Sequence, residues 1–592
     1  MKTSLKKLLM LFDKKEKRKF LILFAMMIVA AIFETVGIGL IVPFVTIATN
    51  PEQIHEHAVF SYVSELFNLQ TYNSFIILAV GVLLFVFVIK NLYLLLFQYA
   101  QFRIILNQQV SLSRQLFQEY LKKPYTFHLK RNTADLLRNV NSEVPKVFQG
   151  IILAGFQLFT ELLVITCILI LLLLTSPIAT LTAFTLLGGS VFIFFKLFRK
   201  KISSLGKEQQ KVDGTMIKWV NQGLGANKVV KVSGKENFFI KAYTGQSQIK
   251  ANNSRYMKLL EQVPRLFIET LLVSVVLITM VIIVIQGENT TELISTMALF
   301  AMAAFRLMPS ITRVVAMITT IRYSQPALSV IYEDLFSDKD EHSISLDTQS
   351  IAINKKEKAF KESIQLNNVS YRYPGQDILS IKDVTLNIPI GKSVAFVGES
   401  GAGKTTLVDI ILGLLKPEQG QVMIDGKKLT DQKRLWQQRI GYIPQSIYLS
   451  DDTIRRNIAF GVEEESIDDK EVWRALEQAH LKQFVKTLPE QLNTQVGENG
   501  VRLSGGQRQR IGIARALYHN PEILFLDEAT SALDNGTEKE IMKAIDSLKG
   551  DMTLIIIAHR LSTIKNCDIV FEFNNGKLSE EKNTTKSRSL II

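Results

Sequence analysis

Six apolar stretches, at residues 20–48, 75–99, 147–175, 179–198, 267–285 and 293–321, run along the first half of the chain. Each is near or above the roughly 20 residues a helix needs to cross a hydrocarbon core. The composition changes after about Tyr323, and 334–362 is polar and charged. From Ile364 onward, short apolar runs alternate with helical patterns, which predicts an α/β domain. At 592 residues the chain is too long for one core. The pattern divides it into an all-α membrane domain over 1–323, a linker over 324–363, an α/β domain over 364–578 and a polar tail over 579–592.

The formal net charge is +14, which suits nucleic acid or an anionic membrane surface. Its distribution decides between them. Lys2, Lys6, Lys7, Lys14, Lys15, Lys17, Arg18 and Lys19 precede the first apolar stretch. The connections at 49–74, 176–177 and 287–291 carry no Lys or Arg, whereas 101–146 and 199–265 are rich in them. That alternation is the positive-inside pattern of a six-span protein with both termini cytoplasmic, so no nucleic-acid partner is expected. The first apolar run is far longer than a signal-peptide core and lacks a small-residue cleavage site, which makes it an uncleaved span. The two long basic connections have helical periodicity and read as cytoplasmic extensions of the spans. Their tips, near 125–140 and 221–243, are candidates to touch the α/β domain. The outer connection at 50–73 is either an amphipathic surface helix or a solvated loop. With two cysteines, Cys167 and Cys567, no disulfide framework or metal cluster is readable.

Ionisable residues inside spans are costly and therefore functional candidates. They are Glu34, Lys90, Glu161, Lys196, Glu269, Arg306 and Arg313, with Arg265 at a span edge. Lys196 is close enough to the cytoplasmic end to snorkel. Arg306 and Arg313 lie two helical turns apart on one face, suited to binding an anion, while Pro309 between them should kink the helix. Arg265 and Glu269 stand at i, i+4 and are expected to neutralise each other.

In the α/β half, Gly398-Glu399-Ser400-Gly401-Ala402-Gly403-Lys404-Thr405 reads G-x-x-x-x-G-K-[ST] between a strand pattern and a helix pattern. Glycines let backbone N–H groups close around phosphate oxygens at a helix N-terminus, and Lys404 should reach the β- and γ-phosphates. The hydroxyl of Thr405 should ligate Mg²⁺, with Thr406 beside it. Tyr373, ahead of this loop, is placed either to stack on a base or to fill the core. Gln445 follows the strand pattern at 441–444 and could bridge Mg²⁺ or water to the membrane domain. Ser504, Gly505, Gly506 and Gln507 open a helix and form a second anion site. The apolar strand 523–526 ends in Asp527, a Mg²⁺ candidate through water, and Glu528, which would polarise the attacking water. His559 follows another strand pattern and could contact the γ-phosphate.

With these motifs in this order, the chain resembles the ATP-binding-cassette superfamily. Leu503-Ser504-Gly505-Gly506-Gln507 looks like its signature, Ser531-Ala532-Leu533-Asp534 resembles its D-loop, and Thr494-Gln495-Val496-Gly497-Glu498 is similar to its exporter-specific loop. The resemblance implies a type I exporter half-transporter that binds and hydrolyses ATP with Mg²⁺. It further implies a homodimer in which the signature and Asp534 of one copy close on ATP held by the other. A narrower resemblance lies in 33–44, 263–267 and 305–310, which look like the bacterial lipid-linked oligosaccharide flippase of protein N-glycosylation. It implies flipping of a polyprenyl-diphosphate-linked oligosaccharide across the bacterial inner membrane. Lys90, Arg265, Arg306 and Arg313 would line its basic cavity, with lysine at 90 where arginine is expected. The alternatives are an exporter of lipid A or hydrophobic drugs, and a soluble cassette ATPase, which six spans disfavour.

Overall fold

In the computed structural model, the described residues are 2–40, 44, 47, 62, 71–175, 177–286, 290–336, 360–527, 535–558, 564 and 566–583. Two compact units emerge, Met1–Lys123 with Lys130–Ile344, and Ser345–Ile592 with Pro124–Leu129. The six residues at 124–129 belong to one of the two tips expected to reach the α/β domain, and they group with it. The outer connection at 50–73, read as either a surface helix or a solvated loop, lies almost wholly outside the described residues.

The first unit is helical. Its long helices are α1 (Lys14–Gly39), α2 (Tyr72–Lys122), α3 (Ala154–Thr175), α4 (Pro177–Gly225), α5 (Glu236–Gln286) and α6 (Thr290–Phe336). Each contains one expected apolar stretch or most of it, and α2, α4 and α5 extend more than 20 residues beyond it as polar helix, as the periodicity of the basic connections predicts. Among the described residues, three segments meet length and hydropathy criteria for crossing a membrane: Lys14–Gly37, Tyr72–Lys122 and Thr133–Leu174. Helix α6 continues through Pro309 and Pro326 to Phe336. The linker expected from 324 therefore begins later, because Ala327, Leu328 and Ile331 are buried and continue the apolar face of the helix.

Polar residues fasten these helices where they leave the apolar zone. Asp334 is 4% exposed on α6. It accepts hydrogen bonds from the Tyr120 hydroxyl on α2, from Asn139 Nδ2 at 2.8 Å and from Arg131 Nη2 at 3.3 Å. A second cluster centres on Glu143, 1% exposed, which pairs with Lys146 at 2.9 Å and accepts from Gln210 on α4 at 2.7 Å. Lys146 also pairs with Asp213 on α4, which Lys250 on α5 reaches as well, each at 2.9 Å. Hydrogen bonds to ionised, buried groups are about twice as strong as neutral ones, and stranding one partner costs more than the bond contributes.

The second unit has two sheets. An antiparallel sheet in the order β2-β1-β4-β5 is formed by β1 (Ser363–Tyr371), β2 (Ile381–Pro389), β4 (Gln419–Ile424) and β5 (Lys427–Lys428). A six-stranded sheet runs β10-β9-β3-β8-β7-β6, built from β3 (Ser393–Gly398), β6 (Ile440–Ile443), β7 (Ile523–Asp527), β8 (Thr553–Ile557), β9 (Ile569–Asn574) and β10 (Lys577–Asn583). All its pairings are parallel except β9 with β10. Strands covered on both faces read as unbroken apolar runs, and β7 (Ile-Leu-Phe-Leu-Asp) and β8 (Thr-Leu-Ile-Ile-Ile) are buried at every position. Alternate residues serve different cores. Val394, Phe396, Ile523, Phe525, Ile555 and Ile557 join the antiparallel sheet and helix α7 (Lys404–Ile411). Ala395, Leu524, Leu526, Leu554 and Ile556 join helix α8 (Gly505–Leu517).

Replacing Asp334 with alanine strands the Tyr120 and Asn139 donors in a buried site. Each stranded group costs about 1–3 kcal/mol, so the apparent Tm of the purified protein should fall by at least about 3 °C. An unchanged melting curve would show that the cluster contributes nothing to holding α2 and α6 together.

Candidate functional site

The phosphate loop links β3 to α7, at the carboxyl ends of the parallel strands where open α/β sheets bind ligands. Its glycines are required by the backbone. Gly398 has φ 143° and Gly403 φ 101°; a Cβ at the first would lie 2.2 Å from the Phe573 carbonyl oxygen, and one at the second 2.8 Å from that of Ser380. Only glycine allows this fold of consecutive N–H groups toward one centre. Lys404 is buried, and its ammonium donates to the carbonyls of Gly398 at 2.8 Å and Glu399 at 2.9 Å. The cation is thus held over the loop, where a phosphate would find it. Glu399, Ser400, Gly401 and Thr405 are exposed, Ala402 is buried and Gly403 is half-buried.

Register carries the second part of the site. Phe396 of β3 is level with Ile557 of β8, and Ile557 with Asp527 of β7. Asp527 therefore ends its strand two positions across the sheet, about 10 Å from the loop strand. It is 6% exposed. Burial, and then the charges of Asp527 and Asp409, push the Tyr442 hydroxyl well above its usual range, and Tyr442 also hydrogen-bonds Asp527. On α7, Asp409 is pushed up to about 6 by burial and by the Asp527 charge. The carboxylates of Asp409 and Asp527 therefore repel each other between α7 and β7. Asp409 escaped the sequence reading, because nothing in its apolar helix marks it as a neighbour of β7.

Tyr373 donates or accepts a hydrogen bond with Thr406 at 3.2 Å, packs edge-on against Tyr371 at 5.2 Å and leans on the apolar core. Gln445 is exposed just after β6. Ser504 caps α8: its hydroxyl accepts from the Gln507 N–H at 3.2 Å, and the Gln507 side chain accepts from the Ser504 N–H at 2.8 Å. Ser504 and Gly505 are exposed, whereas Gly506 is buried. Helices α7 and α8 pack on opposite faces of the sheet, so the signature does not share the loop's face within one copy. Glu528, Asp534 and His559 lie outside the described residues.

In the membrane unit, the expected Arg265–Glu269 pair does not form. Both are exposed on α5, and among the described residues no ion pair joins them, since an exposed pair on one helix is worth little against the entropy of holding it. Arg313 departs from the expected open anion site. Its Nε stands 2.5 Å from Glu161 Oε1 on α3. The side chain of Arg306 is outside the described residues. Lys90 lays its stem against Gly37, with its ammonium 4.7 Å from the Phe87 ring centre.

Two family descriptions match this architecture: "ABC transporter" over residues 381–531 and "ABC transporter transmembrane region" over 19–308. An ATP-dependent lipid A-core flippase of Cupriavidus metallidurans is 33% identical over 476 residues, spanning 79% of this chain and 77% of its own. Flippases of the same name from Cupriavidus pinatubonensis and Pseudoalteromonas translucida are each 32% identical, over 79% of this chain and 78% and 79% of theirs. The chain belongs to the ABC transporter family: it is an ATP-hydrolysing type I exporter half-transporter, a multi-pass membrane protein whose helical domain precedes an α/β nucleotide-binding domain. A half-transporter implies a dimer. The fold is shared with a bacterial Atm1-family ABC exporter with ATP bound, at TM-score 0.77 and 23% identity over 97% of this chain and 96% of that one. The three flippase relatives carry a different name from the oligosaccharide flippase that 33–44, 263–267 and 305–310 resemble.

A folded acid with a raised pKa binds its proton more tightly than the unfolded chain does. Asp409 therefore opposes folding above its unfolded pKa near 4, increasingly until pH passes about 6. Asp409→Asn should raise the apparent Tm at pH 7.5 in nucleotide-free, EDTA-treated protein, and the gain should vanish below about pH 4. A gain that persists at acid pH would remove charge as its cause.

Proposed function

We propose that this protein is a homodimeric flippase of the bacterial inner membrane that uses ATP to move a phosphate-bearing glycolipid between leaflets. ATP-driven lipid flipping is the common ground of its relatives. Their name favours a lipid A-type glycolipid over the polyprenyl-diphosphate oligosaccharide that three short segments suggest. The second reading keeps its place through the arginines at 265, 306 and 313, since both lipids bear phosphate on a sugar and arginine binds phosphate through two parallel N–H groups.

The observation that carries the ATP-driven step is the exposed, capped N-terminus of α8 on the sheet face opposite α7. A signature helix that faces away from its own loop has its use in another copy. In this arrangement the N–H groups of 398–405 and Lys404 hold the phosphates in one copy, and Tyr373 lies beside the loop for the base. Ser504, Gly505, Gly506, Gln507 and Asp534 of the second copy cover the γ-phosphate. Thr405, Asp527 and Gln445 would hold Mg²⁺, which would neutralise charge on the β- and γ-oxygens. Glu528 polarises the attacking water and His559 steadies the γ-phosphate. Segment 124–129 is a candidate to pass closure to the spans.

Glu528→Gln should retain ATP binding and lose at least about 100-fold in turnover, measured as phosphate release beside nucleotide retention. Turnover near wild type would move the base elsewhere. Reconstitution in liposomes with a lipid A-core glycolipid, a polyprenyl-diphosphate glycan and a hydrophobic cation separates the substrate readings. Flipping of a phosphate glycolipid supports the proposal, and stimulation of ATPase by the cation alone would refute it.

A further inference from the structure

Arg313 and Glu161 form an unusual pair for the interior of a membrane domain. Their contact is made through one atom each, Nε and Oε1, at 2.5 Å. The second carboxylate oxygen, Oε2, is buried with no hydrogen-bond partner. The Arg313 side chain is 44% exposed, and that of Glu161 only 12%. On the same two helices, Val164 and Ile168 of α3 and Leu307 of α6 belong to one buried apolar cluster. A pair held in apolar surroundings by one contact, with an oxygen left unsatisfied, contributes little to stability, and apolar replacements of such pairs are often neutral or better. Among the described residues no other carboxylate pairs with Arg313. One side of the guanidinium is therefore engaged by Glu161, and the rest remains accessible.

We propose that Glu161 is an exchangeable counter-ion, whose carboxylate holds Arg313 while no lipid is bound and gives way to the phosphate of the transported glycolipid. A phosphate brings more charge than a carboxylate and satisfies the guanidinium through two parallel N–H groups, so it wins an exchange that a neutral or cationic amphiphile does not. The pair thus acts as an internal competitor that lowers apparent affinity only for a lipid whose phosphate must take the carboxylate's place on Arg313. This inference rests on the reading that a phosphate-bearing lipid is carried.

The test measures the half-saturating lipid concentration for ATPase stimulation in nanodiscs, with lipid A-core glycolipid, its dephosphorylated form and a polyprenyl-diphosphate glycan. Glu161→Gln should lower it about tenfold for a phosphate-bearing lipid and leave the dephosphorylated form unaffected. Arg313→Ala should raise it at least about tenfold, and in that background Glu161→Gln should change it by less than about twofold. Arg313→Lys keeps the charge but loses the fork. It should weaken the response about tenfold, which preserves the test if Glu161→Gln fails to fold. An unchanged half-saturation in Glu161→Gln, or an equal shift without Arg313, would overturn the exchange. So would an equal shift with the dephosphorylated lipid. If wild type responds to neither phosphate-bearing lipid, the parent reading falls and the inference with it. A response to one of the two lipids alone names the substrate and supports the exchange if the variants behave as stated.

Discussion

The central constraint is a parallel sheet covered on both faces. Because β3, β7 and β8 alternate their side chains between two separate cores, the helix that follows the phosphate loop and the helix that follows the signature pack on opposite sides. No rotamer change can bring Ser504 round to Lys404 within one copy. The phosphate loop and the signature helix of one copy therefore belong to opposite faces of the sheet. The same sheet sets the spacing of the site, since the register from Phe396 through Ile557 to Asp527 places a carboxylate two strands from the loop. The loop's own shape depends on Gly398 and Gly403, where the Phe573 and Ser380 carbonyls leave no room for a Cβ.

In the membrane unit, charge has two roles distinguished by surroundings. Where the helices leave the apolar zone, Asp334, Glu143 and Asp213 each accept from several donors on different helices, so that ionic groups fasten α2, α4, α5 and α6. Deeper in, Glu161 meets Arg313 through a single contact and keeps one oxygen unsatisfied. Fully partnered charge rigidifies, whereas partly partnered charge retains affinity for something else.

Much of the nucleotide site was legible from residue spacing, because a phosphate cradle needs a contiguous run of small residues followed by lysine and a hydroxyl. Likewise, 20-residue apolar stretches and alternating basic loops follow directly from membrane thickness and surface charge. Side-chain partners were much less legible. The Arg265–Glu269 pair expected from i, i+4 spacing does not form, whereas Arg313 meets Glu161 from 152 positions away on another helix, a spacing no local rule contains. The end of the membrane domain was also placed too early, because polar residues after 323 concealed the buried face made by Ala327, Leu328 and Ile331.

The sequence by itself determined the class of molecule: local patterns of hydrophobicity, glycine and charge specify a multi-pass helical domain, an α/β cassette and an ATP loop. Only the tertiary structure decided which charges meet. Asp409 beside Asp527, Asp334 beneath Tyr120 and Asn139, and Glu161 against Arg313 are neighbours by helix packing and strand register. Such contacts depend on the position of every element at once, and the energy of a buried charge depends on those contacts more than on its own identity.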